Sequence, residues 1–230
     1  MVYAQSDQGH IEGLSAAASE SQTDKRAADP RWRRTRERLL KAGFELIGVA
    51  GADGVGIDAI VARAGISKQT FYNHFADRDL LTQALWLESR RIFEAAILRA
   101  NAGVADPVRR LARGVAIYAR LALDDPAHAQ FVARTNIHRS LFEDANRGLD
   151  RDLLDGVAQG RLRLGTVATA AMFVTGVTWT LITQILASDD AVQAIKLCQE
   201  TLAMLLRALG CSEDEGACIA TDATNDVLAG

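Results

Sequence analysis

Apolar residues recur at three- and four-residue spacing through most of the chain, and this pattern predicts an all-α fold. Only three prolines occur in 230 residues, so little interrupts the helices. Asp106-Pro107 and Asp125-Pro126 each place a capping residue before a proline in the first turn of a helix. The predicted helices cover residues 31–50, 57–64, 68–75, 78–101, 107–123, 126–140, 143–159, 166–187 and 191–209.

The two ends of the chain lack this periodicity. Residues 1–30 are rich in Ser, Ala, Gln and Asp, and they are predicted to form a disordered N-terminal tail. Residues 211–230 contain acidic but no basic side chains and are predicted to form a second, acidic disordered tail. The helices between the tails divide into an N-terminal domain of residues 31–82 and a larger helical domain of residues 83–210.

The longest uncharged stretch, from Leu164 to Ser188, is long enough to span a bilayer. Threonines and Gln184 dilute its hydrophobicity, and Asp189 and Asp190 follow it where a membrane anchor would have Lys or Arg. A buried core helix or a subunit interface also requires a helix that is apolar all round. We therefore predict no membrane insertion.

Charge is unevenly distributed along the chain. The net charge is −3, but both tails are acidic, and residues 31–210 carry a net +5 with the basic residues densest at the start. The three cysteines show neither CxxC pairing nor metal-ligand spacing, and the N-terminus lacks a signal-peptide pattern. These features predict a cytoplasmic protein without disulfides, metal or cofactor.

Residues 56–75 have the pattern of a helix-turn-helix. A short helix with apolar residues at Ile57, Ile60, Val61 and Ala64 is followed by Gly65, which supplies a left-handed turn residue. Ser67 is a good N-cap for the next helix, KQTFYNHF, whose only apolar inner residues are Phe71 and Phe75. Because so few anchors leave most of this second helix exposed, we interpret it as a recognition helix for the DNA major groove.

Helical geometry assigns roles to the side chains of this second helix. Gln69, Thr70 and Asn73 lie opposite the Phe71/Phe75 direction, so we expect them to contact base edges. The flanking and terminal side chains are expected to hold phosphates, with Lys68 able to reach either target. The phosphate candidates are Lys68, Tyr72, His74, Arg78 and, from the basic run that opens the first helix, Arg36.

The stretch from Leu39 to Leu81, LLKAGFELIGVAGADGVGIDAIVARAGISKQTFYNHFADRDLL, resembles the DNA-binding domain of the TetR family of regulators. The resemblance implies a homodimer on a palindromic, double-stranded operator and a helical C-terminal domain that holds an inducer pocket. It also implies repression that a small hydrophobic or amphipathic molecule relieves. The sequence departs from the family at Gly56, where the usual helix N-cap is Thr or Ser.

The last two predicted helices, 166–187 and 191–209, occupy the place where family members pair into a four-helix dimer interface. Candidate pocket residues lie in the aromatic-rich middle helices, although core packing explains each one separately. The candidates are Trp86, Phe93, Tyr118, His128, Phe131, Asn136, Phe173 and Trp179.

Other classes of function have less support in the sequence. No Ser/His/Asp set, carboxylate pair or phosphate-binding glycine loop occurs in a suitable context, so we expect no enzymatic activity. Asp124 and His128 have metal-ligand spacing, but Pro126 between them indicates a capped helix start. The main alternative is an architectural DNA-binding protein that senses no ligand, which would bind DNA without sequence preference.

Overall fold

The structure is a computed structural model that describes residues 29–51, 54–134, 147–188 and 190–228. These residues form ten α-helices and no strand, which confirms the predicted all-α fold. The helices are α1 (Pro30–Ala50), α2 (Ile57–Ala64), α3 (Lys68–His74), α4 (Arg78–Ala100), α5 (Pro107–Asp124), α6 (Pro126–Arg134), α7 (Arg147–Ala158), α8 (Val167–Leu186), α9 (Ala191–Ala208) and α10 (Glu213–Leu228).

The first nine helices lie where the apolar periodicity predicts them. The ends of two predicted helices at residues 135–146, and the predicted N-terminal tail at residues 1–28, lie outside the described residues. Both Asp-Pro pairs begin helices as expected. Asp106 Oδ1 accepts hydrogen bonds from the backbone N–H groups of Val108 and Arg109 at 2.9 and 3.2 Å. Asp125 Oδ1 accepts from the N–H of His128 at 3.2 Å.

An N-terminal core forms where α1, α2, α3 and the first half of α4 meet. Its fully buried side chains include Leu39, Ile60, Phe71 and Leu81. The same core continues to Phe93 on α4 and reaches Phe131 on α6. The boundary predicted at residue 82 therefore falls inside a continuous helix, and α4 belongs to both domains.

A second core surrounds α5, which contacts α7, α8, α9 and α10. Cys198 is fully buried in this core, and burial raises the pKa of its thiol to about 11. The thiol is therefore protonated at neutral pH and packs as a small apolar group.

Helix α8 is long and apolar enough to cross a bilayer by length and composition alone. Its residues Ala170, Val174, Leu181 and Ile185 are buried against the helices around α5, so this face of α8 belongs to the second core. The core position accounts for the uncharged sequence of this helix.

Helix α10 shows that the prediction of a disordered acidic tail at residues 211–230 is wrong. Ile219, Ala220 and Ala223 are buried against α5 and α9, a stripe of small residues that the acidic and polar neighbours obscure in the sequence. Three of the acidic residues pair with arginines of α5 or of the α7–α8 connection. The ion pairs are Asp222 with Arg109, Asp226 with Arg113, and Glu215 with Arg161.

The two cores are joined by close packing of α1 on α6 and α4. A Cβ atom added to Gly48 would lie 2.8 Å from the carbonyl oxygen of Ala127 and 3.0 Å from the backbone nitrogen of Phe131. A Cβ at Gly43 would lie 2.8 Å from a methyl group of Leu85. Glycine at position 48 thus allows α1 to meet the backbone of α6 directly.

This close approach predicts that Gly48→Ala lowers the free energy of unfolding by about 1–3 kcal/mol, because a backbone contact cannot yield as a side chain does. The matched control is Gly114→Ala on α5, where nothing lies within 4 Å of an added Cβ. There the better helix propensity of alanine should add about 0.5–1 kcal/mol. Urea unfolding of the two variants checks the prediction, and a Gly48→Ala protein as stable as Gly114→Ala would contradict it.

Candidate DNA interface and ligand cavity

The turn between α2 and α3 has the geometry of a helix-turn-helix. Gly65 ends α2 with φ +63° and ψ +45°, the left-handed conformation expected from its sequence position. Arg38 on α1 donates to the carbonyl oxygen of Gly65 at 2.9 Å, so the turn is tied to the first helix. Ser67 then caps α3 by accepting from the N–H of Thr70 at 3.1 Å. Gly56, by contrast, makes no side-chain cap for α2.

Helix α3 is anchored through Phe71, which is fully buried, with the adjoining Phe75 5% exposed. Gln69 and Asn73 are exposed on the opposite side, and their amides lie 3.5 Å apart from Nε2 to Oδ1. Thr70 is half-buried, and its hydroxyl lies 2.9 Å from that of Ser67. Two of the three candidate base-contacting residues, Gln69 and Asn73, therefore lie together on the exposed face of α3. The hydroxyl of the third, Thr70, contacts the capping residue Ser67.

The phosphate candidates near α3 differ in their surroundings. Lys68 pairs with the carboxylate of Asp58 on α2 at 2.7 Å, and this hydrogen bond raises the pKa of Lys68. Tyr72 is 50% exposed at the surface of α3. Arg78, at the first position of α4, is partly buried and lies 3.7 Å from Asp79.

Arg36 and His74 form part of an aromatic cluster between α1 and α3. The Arg36 guanidinium lies 4.9 Å from the ring centre of Phe75, and the His74 ring stacks on Trp32 at 4.5 Å. Burial, with a smaller contribution from Arg36, lowers the pKa of His74. Both side chains therefore hold α3 against α1, and a neutral imidazole has no charge to offer a phosphate at neutral pH.

A cavity of about 720 Å³ lies between α4, α5, α7 and α8. Its walls are apolar along most of their length, with Ile97, Leu111, Val115, Val174 and Trp179 among the lining residues. The lining also includes polar residues from all four helices. They are Glu94, Asn101, Arg110, Tyr118, Asp152, Asp155, Thr175 and Thr178, with Arg147 and Arg151 exposed on the α7 side.

Of the eight pocket candidates, Tyr118 and Trp179 line this cavity. Trp86 and Phe131 are buried in the N-terminal core instead, with ring centres 5.2 Å apart. Phe173 is 40% exposed on the other side of α8, because successive residues of a helix point in different directions. Asn136 lies outside the described residues.

The remaining two candidates, Phe93 and His128, link the cavity wall to the DNA-binding helices. Phe93 stacks on Tyr118 at 4.2 Å and lies 5.7 Å from the ring of His128. His128 in turn lies 4.4 Å from Phe44 of α1 and 2.7 Å from the hydroxyl of Ser89. Burial lowers the pKa of His128, so this junction is uncharged at neutral pH.

The end of the cavity nearest the α4–α5 turn contains a partly buried ion-pair network around Arg110. The guanidinium donates to Asp152 at 2.7 Å and to Asp155 at 3.3 Å. It also donates to the carbonyl oxygens of Val104 and Ala105 at 3.3 and 2.8 Å. Burial raises the pKa of Asp152, and Arg110 opposes that shift.

The sequence does not reveal this network, because Arg110 and Asp152 are 42 positions apart and each resembles an ordinary surface residue. Asn101 donates to the Arg110 carbonyl oxygen at 3.2 Å, and the sequence does not identify it as a cavity residue either. The contacts of Lys68 with Asp58 and of His74 with Trp32 are also between helices. In the sequence, only Asp58 in the first turn of α2 and the tryptophan in the basic run indicate these contacts.

An apolar groove of about 520 Å³ crosses the outer surfaces of α8 and α9. Its lining includes Met172, Phe173, Gly176 and Thr180 of α8 and Leu197 of α9. Met172 is 59% exposed in the single chain. This surface is the part of the last two long helices that the second core leaves uncovered.

Comparison with known proteins places these features in a family. Residues 39–85 match the family model described as bacterial regulatory proteins, tetR family. No curated protein matches the sequence.

Solved structures of similar fold cover most of the chain. RolR in complex with resorcinol is 27% identical, with a TM-score of 0.58, over 86% of this chain and 96% of that chain. A gamma-butyrolactone receptor, an ArpA-like protein, is 20% identical, with a TM-score of 0.63, over 86% of this chain and 100% of that chain. CprB, a TetR family protein from S. coelicolor A3(2), is 20% identical, with a TM-score of 0.63, over 83% and 96% of the two chains. With the TetR DNA-binding domain at its N-terminus and the TetR fold through its described helices, the chain is a TetR-family transcriptional regulator.

Proposed function

We propose that this protein is a cytoplasmic, homodimeric repressor that leaves an inverted-repeat operator when a small amphipathic inducer binds. The observation that carries the proposal is the short chain of contacts between the cavity and α1. Tyr118 lines the cavity, and Phe93 and His128 connect it to Phe44. A ligand that contacts Tyr118 differently in two arrangements of these rings would shift the position of α1, and with it α3.

The DNA-binding part of the proposal rests on the exposed face of α3. Gln69 and Asn73 are exposed opposite Phe71, and an amide side chain can make two hydrogen bonds to the major-groove edge of adenine. The exposed arginines of α1 and the Lys68 and Arg78 side chains flank this face, where phosphates of the duplex would lie. Arg36 and His74 are assigned to positioning α3, because both pack on aromatic rings.

Inducer binding is supported by the cavity and by the similar solved structures. The cavity has room for a metabolite, apolar walls and a few polar groups, which is the usual character of a small-molecule site. The structure of RolR contains resorcinol, and two of the similar structures are gamma-butyrolactone receptors. These relatives support a small organic effector for this chain. TetR-family regulators are transcription factors, so the cavity is interpreted as a sensor and not as an active site.

Dimerisation is proposed through the groove on α8 and α9. Exposed Met172 and Phe173 on α8, with Val192 and Met204 on α9, form the uncovered apolar surface of these helices. A second copy of the chain would bury this surface symmetrically. Val174 and Leu181 are only 3% exposed in the single chain, so they belong to its own core and substitutions there would disturb folding.

Substitutions on α3 and α4 should separate base contacts from phosphate contacts. Gln69→Ala and Asn73→Ala should each cost about 1–3 kcal/mol of binding free energy on the operator and relax preference at particular base pairs. Arg78→Ala should weaken binding to operator and scrambled DNA equally and lower the salt dependence by about one phosphate contact per subunit. Affinity for both DNAs at several salt concentrations provides the measurement. Equal losses on both DNAs for Gln69→Ala and Asn73→Ala would contradict the assigned orientation of α3.

A charge in the α8–α9 groove should prevent dimerisation without unfolding the chain. Sedimentation of the wild type should give about twice the 24.8 kDa chain mass. Met172→Glu should sediment as a monomer, since a carboxylate would be buried in the interface. Leu87→Glu is the matched control, because Leu87 is 66% exposed on α4, away from the groove. Dimers of Met172→Glu as stable as those of Leu87→Glu would exclude this interface.

Filling the cavity should imitate the inducer. Gly114 lines the cavity and has open space around its Cβ position, so Gly114→Phe would place a ring where a ligand would lie. We expect operator affinity to fall by roughly 5- to 150-fold, the usual range of allosteric coupling. Gly114→Ala is the control, since a methyl group leaves the cavity open. If Gly114→Phe folds and binds the operator like Gly114→Ala, the protein is better described as a ligand-independent DNA-binding protein.

A further inference from the structure

We propose that the cavity selects an uncharged molecule that carries hydroxyl donors, and that Asp152 excludes anionic ligands by neutralising Arg110. This proposal rests on the proposed sensing function and names the class of ligand that the cavity takes. It depends on the distribution of charge and of hydrogen-bond donors along the cavity wall.

Arg110 is the only arginine of α5 that lines the cavity, and each nitrogen of its guanidinium already contacts an acceptor. An arginine has five N–H donors. The Arg110 donors are taken by Asp152, by Asp155 and by the carbonyl oxygens of Val104 and Ala105. A carboxylate that entered this end of the cavity would therefore compete with acceptors already bound to every nitrogen of Arg110, and it would lie beside two other carboxylates.

The other charged groups of the lining do not reverse this conclusion. Glu94 is itself acidic and pairs with Arg90 at 2.6 Å. Arg147 and Arg151 are exposed on α7, where solvent and salt screen their charge. An anion would lose most of its hydration in the cavity without gaining a buried cation, and unpaired buried charges are strongly unfavourable.

Two uncharged polar residues of the lining, Thr175 and Thr178, are left as acceptors. Thr175 donates its hydroxyl proton to the carbonyl oxygen of Ala171, and Thr178 donates to that of Val174, both at 2.7 Å. Each threonine is left with acceptor lone pairs, which add to those of the cavity carboxylates. The side-chain oxygen of Asn101 is also buried without a hydrogen-bond partner. These acceptors are satisfied by a ligand that donates hydrogen bonds, as a hydroxyl group does, while the Tyr118 hydroxyl can donate as well as accept.

The spacing of the polar groups also defines a shape. Arg110 and Tyr118 lie on the same helix, eight residues apart, which corresponds to about 12 Å along its axis. Apolar residues, including Leu111 and Val115, line the wall between them. The cavity therefore suits an elongated molecule with an apolar body and a hydroxylated end.

Three probes of one skeleton test the proposal on the wild-type protein. They are 4-hexylphenol, which is uncharged and donates a hydrogen bond, 4-hexylanisole, which is uncharged without a donor, and 4-hexylbenzoate, which is anionic at neutral pH. Calorimetry should show binding of the phenol, with the anisole and the benzoate each weaker by about tenfold or more. The proposal is overturned if the benzoate or the anisole binds as tightly as the phenol, or if none of the three binds.

Asp152→Asn provides the second test, because it releases part of the Arg110 guanidinium from its carboxylate partner. The variant should bind 4-hexylbenzoate about tenfold more tightly than the wild type does, with little change for 4-hexylphenol. Asp150→Asn is the matched control, an acid-to-amide change on the same helix at a residue outside the cavity lining. A benzoate affinity of folded Asp152→Asn equal to that of Asp150→Asn would overturn the role of Asp152. The sensing function itself is judged separately, by the effect of Gly114→Phe on DNA binding.

Discussion

The contact between α1 and α6 at Gly48 joins the N-terminal helices to α6, which in turn packs on α5 and α8 of the cavity wall. Without a side chain at position 48, the backbones of the two helices meet directly, and a Cβ there would lie 2.8 Å from a carbonyl oxygen of α6. Two backbones in contact cannot move past each other as flexible side chains do. Helices α1 and α6 are therefore in direct contact, and Phe71 and Phe75 pack α3 into the same N-terminal core as α1.

Helix α5 organises the second domain because its arginines form ion pairs with two different neighbouring helices. Arg109 and Arg113 pair with acidic residues of α10, and Arg110 pairs with acidic residues of α7. The ion pairs to α10 are partly exposed and individually contribute little to stability, but they determine where an acidic helix can dock. The Arg110 network is more buried, and it decides which charge the cavity tolerates.

The polar residues of α3 and α1 differ in whether a neighbouring helix contacts them. Gln69 and Asn73 remain exposed because α3 is short and has all its anchors on one side. His74 and Arg36, which look equally suited to a phosphate in the sequence, instead pack on Trp32 and Phe75. The pocket candidates divide in the same way, since Tyr118 faces the cavity and Phe131 fills the core between the domains.

The sequence by itself determined the all-α fold, nine of the helices, the turn at Gly65 and the family of the DNA-binding domain. These features depend on residues close together in the chain, where apolar spacing, capping residues and a left-handed glycine act locally. Only the tertiary structure decided that α10 is a helix, that α4 belongs to both domains, and that Arg110 and Asp152 meet in the cavity. Those outcomes depend on which distant helices pack together. The acidic stretch of α10 docks where arginines of α5 pair with it, and the cavity forms between helices that are far apart in the sequence.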